Sequence, residues 1–568
     1  MFPDMKTALL AAALVLATPA IARAPAPATT TAMVSAADPR GAAAGIAMLK
    51  QGGNAMDAIA ATLLALAVVE PQSSGLGGGG LLVYQAAGAR EPTSFDGREK
   101  APMAATPNLF MADGKPQPRN GAIPGGKSVG VPGNIAMIAL AHARHGRLPW
   151  ATLFQPAIAL ARGGYDVSPR MARAIAGSRD TLARTPEAAA LFLNTDGTPK
   201  AAGSHIVNEA LARTLEAIAN GGPRTFYTGE IAAGIVKRVA TAPTNPSSMT
   251  VADLAAYKAK ARPPVCAPYR VWRICSMGPP SAGGIAVIGI VKQLEGFDLH
   301  RLGPDNPVAW HLIAESERLA FADRAAYGGD SDFIEVPVKG LIAADYLKAR
   351  GALIHADSTM ARADPGQPAG AVKRTPSKSG EIPSTTHFAA VDAAGNVASL
   401  TSTVEGAFGS SLVAGGMVLN NELTDFSFEP SIDGAPVANR VEGGKRPRSS
   451  MAPAIVYDAK GRVVLAIGAA GGMTIPAQVA KAIIGVLDWK LSVQDAITLP
   501  LVYVSDDLLI AEKSPQGEPL VKMLPALEKL GHRTGTYPLP LKANGIERIA
   551  GGWRGGADPR SEGVAIGY

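Results

Sequence analysis

The chain of 568 residues holds only two cysteines. That excludes a disulfide-dense scaffold and a four-cysteine zinc site. Charged residues are sparse, at 18%, while aliphatic ones abound, which excludes an intrinsically disordered chain. Net charge is +7, yet no run of four basic residues occurs, so there is no stripe suited to a nucleic-acid backbone. The signatures H-E-x-x-H and C-x-x-C are both missing. Beyond the N-terminus no apolar stretch reaches the roughly 20 residues that cross a bilayer. Ala58 to Val69 reads instead as a buried helix. Glycine (63) and proline (45) are plentiful, but without the three-residue period of collagen.

The N-terminus has the layout of a secretory signal. Lys6 supplies the leading charge, Ala8 to Ala17 is apolar, and Ala20-Ile21-Ala22 and Ala22-Arg23-Ala24 offer cleavage sites. The apolar stretch is too short for a membrane anchor. Residues 1–24 are therefore expected to be removed, leaving a periplasmic or secreted protein with no membrane span. Export places Cys266 and Cys275 in an oxidising compartment. They bracket a short strand–turn–strand pattern, so a local disulfide is favoured over two buried thiols.

At about 150 residues per domain the length suggests three to four domains, although one large α/β unit also fits. Ala37 to Leu49 has helical spacing. Gly52-Gly53-Asn54 ends it and caps a second helix, stopped by Pro71. A glycine run from Gly75 to Gly80 leads into an apolar strand. Helical patterns dominate from Ile135 to Ile235, and another helix starts at Ile285. Pro365 to Ser384 is polar and reads as a long exposed loop. Strand patterns follow, around Ala454 to Tyr457 and Val463 to Ile467 among others, then a helix from Pro476. Helices first and strands later suggest a layered α/β arrangement.

Gly121 to Ser128 matches G-x-x-x-x-G-K-[ST] in full. That motif cradles phosphates only between a buried strand and a helix. Here Lys115 to Asn120 cannot be a buried strand, and Pro132 follows closely. It is read as a Gly/Pro-rich loop.

Thr385 to Asp392 and Val397 to Thr403 alternate around Asp392-Ala393-Ala394-Gly395-Asn396. This is a β-hairpin with Gly395 in the left-handed position. Pairing Asp392 with Asn396 places Thr385 opposite Thr403 on one face, two hydroxyls within reach. Alone, such a pair is ordinary for a Thr-rich hairpin.

The surrounding motifs give the pair its meaning. They include Gly52-Gly53-Asn54-Ala55-Met56-Asp57-Ala58, Leu76-Gly77-Gly78-Gly79-Gly80 and Phe95-Asp96-Gly97-Arg98-Glu99-Lys100-Ala101-Pro102. They continue with Thr385-Thr386-His387-Phe388, Leu419-Asn420-Asn421-Glu422-Leu423-Thr424-Asp425-Phe426 and Lys445-Arg446-Pro447-Arg448-Ser449-Ser450-Met451. In this order, from about Ala36 to Tyr568, the sequence resembles the gamma-glutamyltransferase (glutathione hydrolase) family.

That resemblance implies an α+β fold, the four-layer αββα sandwich of N-terminal-nucleophile hydrolases. It implies a precursor that cuts itself between Ser384 and Thr385, giving a large chain (25–384) and a small catalytic chain (385–568) that stay together as a heterodimer. Thr385 would be the nucleophile, with Thr403 beside it and Gly471 and Gly472 as oxyanion donors. Arg98, Ser449 and Ser450 match the family's α-carboxylate site, and Glu422 and Asp425 its α-ammonium site. The substrate would be a γ-glutamyl amide such as glutathione, with water or an amino acid as acceptor and no metal or cofactor. His387 is expected to be structural and has no evident partner in the sequence. Two departures stand out. Glu405 replaces an asparagine common in relatives, bringing a third carboxylate towards one ammonium. The span from Ser427 to Arg446 is short and lacks the tyrosine of lidded relatives, which implies an open pocket. Those departures motivate a rival reading, an acylase for glutaryl or β-lactam side-chain amides. A rival of another class is an inactive binding protein on the same scaffold.

Overall fold

The hairpin around Gly395 forms the middle of a larger sheet. In a computed structural model that describes residues 30–377, 380–381 and 384–568, Thr385 pairs with Thr403 and Val391 with Val397. Gly395 carries the left-handed φ of 93° that the turn demands. The expected signal segment lies outside the described residues.

This sheet has seven strands, ordered Val564–Gly567, Met33–Ala36, Thr385–Val391, Val397–Thr403, Gly79–Gln85, Thr93–Asp96 and Lys260–Arg262. A second sheet of six runs Gly552–Ala557, Lys542–Ile549, Val463–Ala470, Ala454–Tyr457, Trp272–Ser276 and Val265–Tyr269. Neighbouring strands in both are antiparallel. Each sheet combines strands from before and after Thr385. Met33–Ala36 flanks Thr385–Val391, and Gly79–Gln85 flanks Val397–Thr403.

The two-residue period of a strand explains the layering. Phe388 and Ala390 point to a core beneath helices, while Ala389 and Val391 point to a core shared with the second sheet. Helices Pro39–Lys50 and Ala55–Val69 cover the first sheet's outer side. Gly283–Gln293 and Ile475–Leu487 cover the second, with Pro307–Tyr327 behind them. The result is helix, sheet, sheet, helix: an α+β sandwich of four layers.

Local sequence sets these elements. Asn54 caps Ala55–Val69 by accepting from the N–H groups of Met56 and Asp57, and Asp57 accepts in return from the Asn54 N–H. Such a cap is worth about 1 kcal/mol. Every residue of that helix is buried, so it is apolar all round without being a membrane span. Among the described residues no helix is long and apolar enough to cross a membrane. Cys266 and Cys275 face each other on adjacent strands and are bonded, with S–S 2.09 Å.

The polar segment from Pro365 departs from expectation. Among its described residues none is helix or strand, as expected of a loop, but some near its end are not exposed. Ser377 and Ser384 are buried, and Glu381 turns into a cleft. A nearby arginine draws it inward.

Candidate active site

Thr385 opens its strand at the edge of the inter-sheet layer and is buried. Its hydroxyl donates to Thr403 Oγ1 at 3.2 Å. Thr403 Oγ1 also accepts from the Glu405 N–H at 2.7 Å, which fixes the orientation of that hydroxyl. The glycine run backs this pair. A Cβ on Gly78 would sit 2.0 Å from the Thr403 carbonyl oxygen, so only glycine lets the loop press against the strand.

In front of Thr385 lies a cleft lined by Arg98, Glu381, Thr403, Glu405, Glu422, Asp425, Ser449 and Gly472, among others. Arg98 is buried and held from several directions. Its Nε donates to Pro447 O at 3.2 Å, its Nη2 to Arg448 O at 3.0 Å, and the Tyr257 hydroxyl donates to its carbonyl at 2.8 Å. Its guanidinium spans Glu422 and Asp425. Glu99 lies 3.7 Å away, and neither of its carboxylate oxygens has a hydrogen-bond partner. Burial pushes Glu99 up to about 8 and raises Glu422 and Asp425 too, while the Arg98 charge opposes all three shifts.

Glu405 joins this group with a φ of 75°. Its carboxylate accepts from Asn421 Nδ2 at 2.6 Å, and it is hydrogen-bonded to Asp425. One proton held between these two carboxyl groups would relieve the repulsion expected of a third carboxylate.

Ser449 and Ser450 play different parts. Ser449 Oγ accepts from the Met451 N–H at 3.1 Å and faces the cleft. Ser450 Oγ accepts from Arg324 Nη2 at 2.7 Å. Arg324 also pairs with Glu381.

Gly471 and Gly472 turn the chain from strand Val463–Ala470 into helix Ile475–Leu487 with φ of 131° and 59°. A Cβ on Gly471 would lie 2.5 Å from Pro540 O. Gly472 and Ile475 both line the cleft, so the positive end of that helix borders it.

His387 sits between the sheets, and the expectation that it has no partner is corrected. Its Nδ1 is 2.9 Å from Thr401 Oγ1, the neighbour that the hairpin register dictates. Burial holds it down to about 3, so the ring is neutral. A Cβ on Gly468 would lie 2.3 Å from it, so glycine makes room for the ring. The loop Gly121 to Ser128 does not line the cleft, and the Ser128 hydroxyl donates to its own loop carbonyls at Ile123 and Gly125.

Pattern reading missed Arg324, Glu381 and the orphaned Glu99. Glu99 adjoins Arg98 in the quoted motif and was in plain view. Nothing in the sequence pattern links Arg324 to Glu381.

The family model described as Gamma-glutamyltranspeptidase matches residues 41–568. The glutathione hydrolase proenzyme of Bacillus subtilis (strain 168) is 34% identical over 548 residues, 94% of this chain and 91% of the relative. That of Escherichia coli (strain K12) is 36% identical over 82% of this chain and 80% of its own. The acylase ACY 1 proenzyme of Pseudomonas sp. (strain SE83) is 34% identical over 94% and 93%. Among solved structures, the cephalosporin acylase from Bacillus halodurans superposes with TM-score 0.85 at 25% identity, covering 98% of this chain and 99% of that one. The gamma-glutamyltranspeptidase of Helicobacter pylori gives TM-score 0.58 at 35% identity, covering 60% and 97%. From residue 41 to its end, then, the chain belongs to the gamma-glutamyltranspeptidase family and is an enzyme of that type.

Proposed function

We propose that this is an exported, self-processing threonine hydrolase that cleaves γ-glutamyl amides such as glutathione through an acyl-enzyme on Thr385. The observation that carries the reading is the Thr385–Thr403 pair facing Arg98, Glu422 and Asp425 across one cleft. A guanidinium beside carboxylates suits the α-carboxylate and α-ammonium of a γ-glutamyl group.

Maturation begins when Thr385 Oγ1 attacks the Ser384 carbonyl carbon. The C–N bond breaks as the ester forms, and the proton passes to the new amine. Water then hydrolyses the ester, leaving a carboxylate on Ser384 and a free α-amine and hydroxyl on Thr385. Residues 25–384 and 385–568 remain together. In turnover the α-amine, with an ordinary pKa of about 7.7–8.0, takes the Oγ1 proton as the oxygen attacks the γ-carbonyl. Backbone N–H groups at Gly471 and Gly472 stabilise the oxyanion. The proton goes to the leaving amine, and water or an amino acid then takes the acyl group.

The acylase reading has support from ACY 1 and from the Bacillus halodurans structure. The charge of the cleft favours the γ-glutamyl group. A glutaryl group lacks the ammonium that Glu422 and Asp425 await. Thr385→Ala should leave a single uncut chain on a denaturing gel and lower γ-glutamyl anilide hydrolysis by at least about 10³-fold. Cutting that persists at another bond would overturn the nucleophile assignment. A wild-type enzyme that cleaves glutaryl anilide but not γ-glutamyl anilide would establish the acylase reading instead.

A further inference from the structure

Arg324 has a role left over once the γ-glutamyl site is accounted for. It projects from helix Pro307–Tyr327 and is buried. Its Nη2 reaches both Ser450 Oγ and the carboxylate of Glu381, while its Nε has no hydrogen-bond partner. Arg448 lies against it. Arg448 Nη1 donates to the Arg324 carbonyl oxygen and to Ser377 Oγ, both at 3.2 Å. Burial and the neighbouring Arg324 charge hold Arg448 down to about 9, against the pull of Glu381 and Asp425. Two guanidiniums are thus buried together, with the Glu381 carboxylate facing them. Asp425, the other nearby acid, is engaged by Arg98.

Glu381 cannot remain there during turnover. It lines the same cleft as Thr385, and its carbonyl oxygen lies 3.3 Å from where a Cβ on Gly472 would be. An acyl donor that reaches Thr385 and the glycine pair has to displace it. Arg324 then loses a carboxylate in a buried place where an unpaired charge is strongly unfavourable.

We infer that Arg324 anchors a second carboxylate of the substrate, and that Glu381 holds that carboxylate's place in the uncut chain. This rests on the γ-glutamyl reading. A γ-glutamyl group has one carboxylate besides the reacting carbonyl, and Arg98 accounts for it. The second must come from the amine half, either the leaving amine or the incoming acceptor. The preferred partners are then γ-glutamyl amides of amino acids or short peptides rather than of neutral amines.

The test uses the mature enzyme and two γ-glutamyl anilides that differ only by a carboxylate on the ring. Arg324→Gln should lower the ratio of kcat/KM, carboxylated over neutral, by about tenfold or more, chiefly through KM. Arg324→Lys should restore part of it. Comparing glycylglycine with its amide as acceptors reads the incoming amine in the same way. An unchanged ratio, with both donors slowed alike, would mean that Arg324 acts only through Ser450 and would overturn the inference. If Arg324→Gln fails to fold, inhibition of the wild-type enzyme by the two anilines decides. Tighter inhibition by the carboxylated one supports the anchor, and equal inhibition overturns it. Wild-type enzyme that turns over neither donor would break the γ-glutamyl reading and take this inference with it.

Discussion

Two charge clusters, one partly exposed and one buried, meet near the end of strand Thr93–Asp96 and solve the same electrostatic problem in opposite ways. On one side Lys260, Arg262 and Arg446 face Asp96, Asp330 and Asp332, three cations to three anions. Arg262 reaches Asp96 at 2.7 Å and Asp332 at 2.8 Å. On the other side Arg98 alone faces Glu99, Glu422 and Asp425, with Glu405 lining the same cleft. Burial pushes Asp332 up, but hydrogen bonds from Arg262 and Lys260 outweigh it and hold the group well below the carboxylate range. In the cleft the balance goes the other way. The first cluster is complete without a ligand and braces the fold. The second carries surplus acid, which an incoming ammonium would neutralise, as the proposed γ-glutamyl site requires.

The sharpest way to break the contrast is to remove its central cation. Arg98→Ala should lower γ-glutamyl anilide kcat/KM by about 10²–10³-fold, because it also strands Glu422 and Asp425. A loss under tenfold would mean that Arg98 does not hold substrate. Arg262→Met should act on stability instead. Denaturant unfolding should show about 2–3 kcal/mol lost, while kcat/KM per folded enzyme stays within about twofold. An activity loss matching that of Arg98→Ala would merge the two clusters into one site.

Acidity separates them by sign. The folded pKa of Asp332 lies below its unfolded value, so its contribution is present above about pH 4 and is lost on acidification. Glu99 is the reverse: raised to about 8 from 4.5, it weakens the fold as pH rises through that interval. Thermal melts of Glu99→Gln should therefore gain on wild type between pH 5 and pH 8. A parallel pair of curves would show that Glu99 is ionised throughout. The smallest effect belongs to Glu405→Gln, which keeps a donor towards Asp425. Its KM for the anilide should stay within about threefold. A KM lowered tenfold would mean that Glu405 is charged and repels other acids in the wild type.

What the sequence revealed depended on how locally each feature is encoded. The Thr385–Thr403 register follows from one turn, since Asp392, Gly395 and Asn396 allow only one closure. The same register sets His387 opposite Thr401, a partner available from the pattern but overlooked. Asn54 and Pro71 bounded the helix between them for equally local reasons. Arg98, Glu422 and Asp425 were found through family resemblance, because no periodicity brings together residues more than 300 positions apart. Arg324 and Glu381 fell outside both routes. A polar, proline-bearing segment reads as solvent-exposed, and nothing in its composition shows that one carboxylate is pulled into a wall of buried arginines.

The mixed origin of the strands in both sheets has a last consequence for an enzyme cut before Thr385. Neither product would own a complete sheet, and no disulfide would tie them, because Cys266 and Cys275 lie on the same side of the cut. The intact chain delivers Met33–Ala36 to the flank of Thr385–Val391 by connectivity, and the cut destroys that guidance. Once parted by heat or denaturant, the pieces would have to find each other as strangers. The working life of the mature enzyme would then be governed by the barrier to its first unfolding rather than by any equilibrium with an unfolded state.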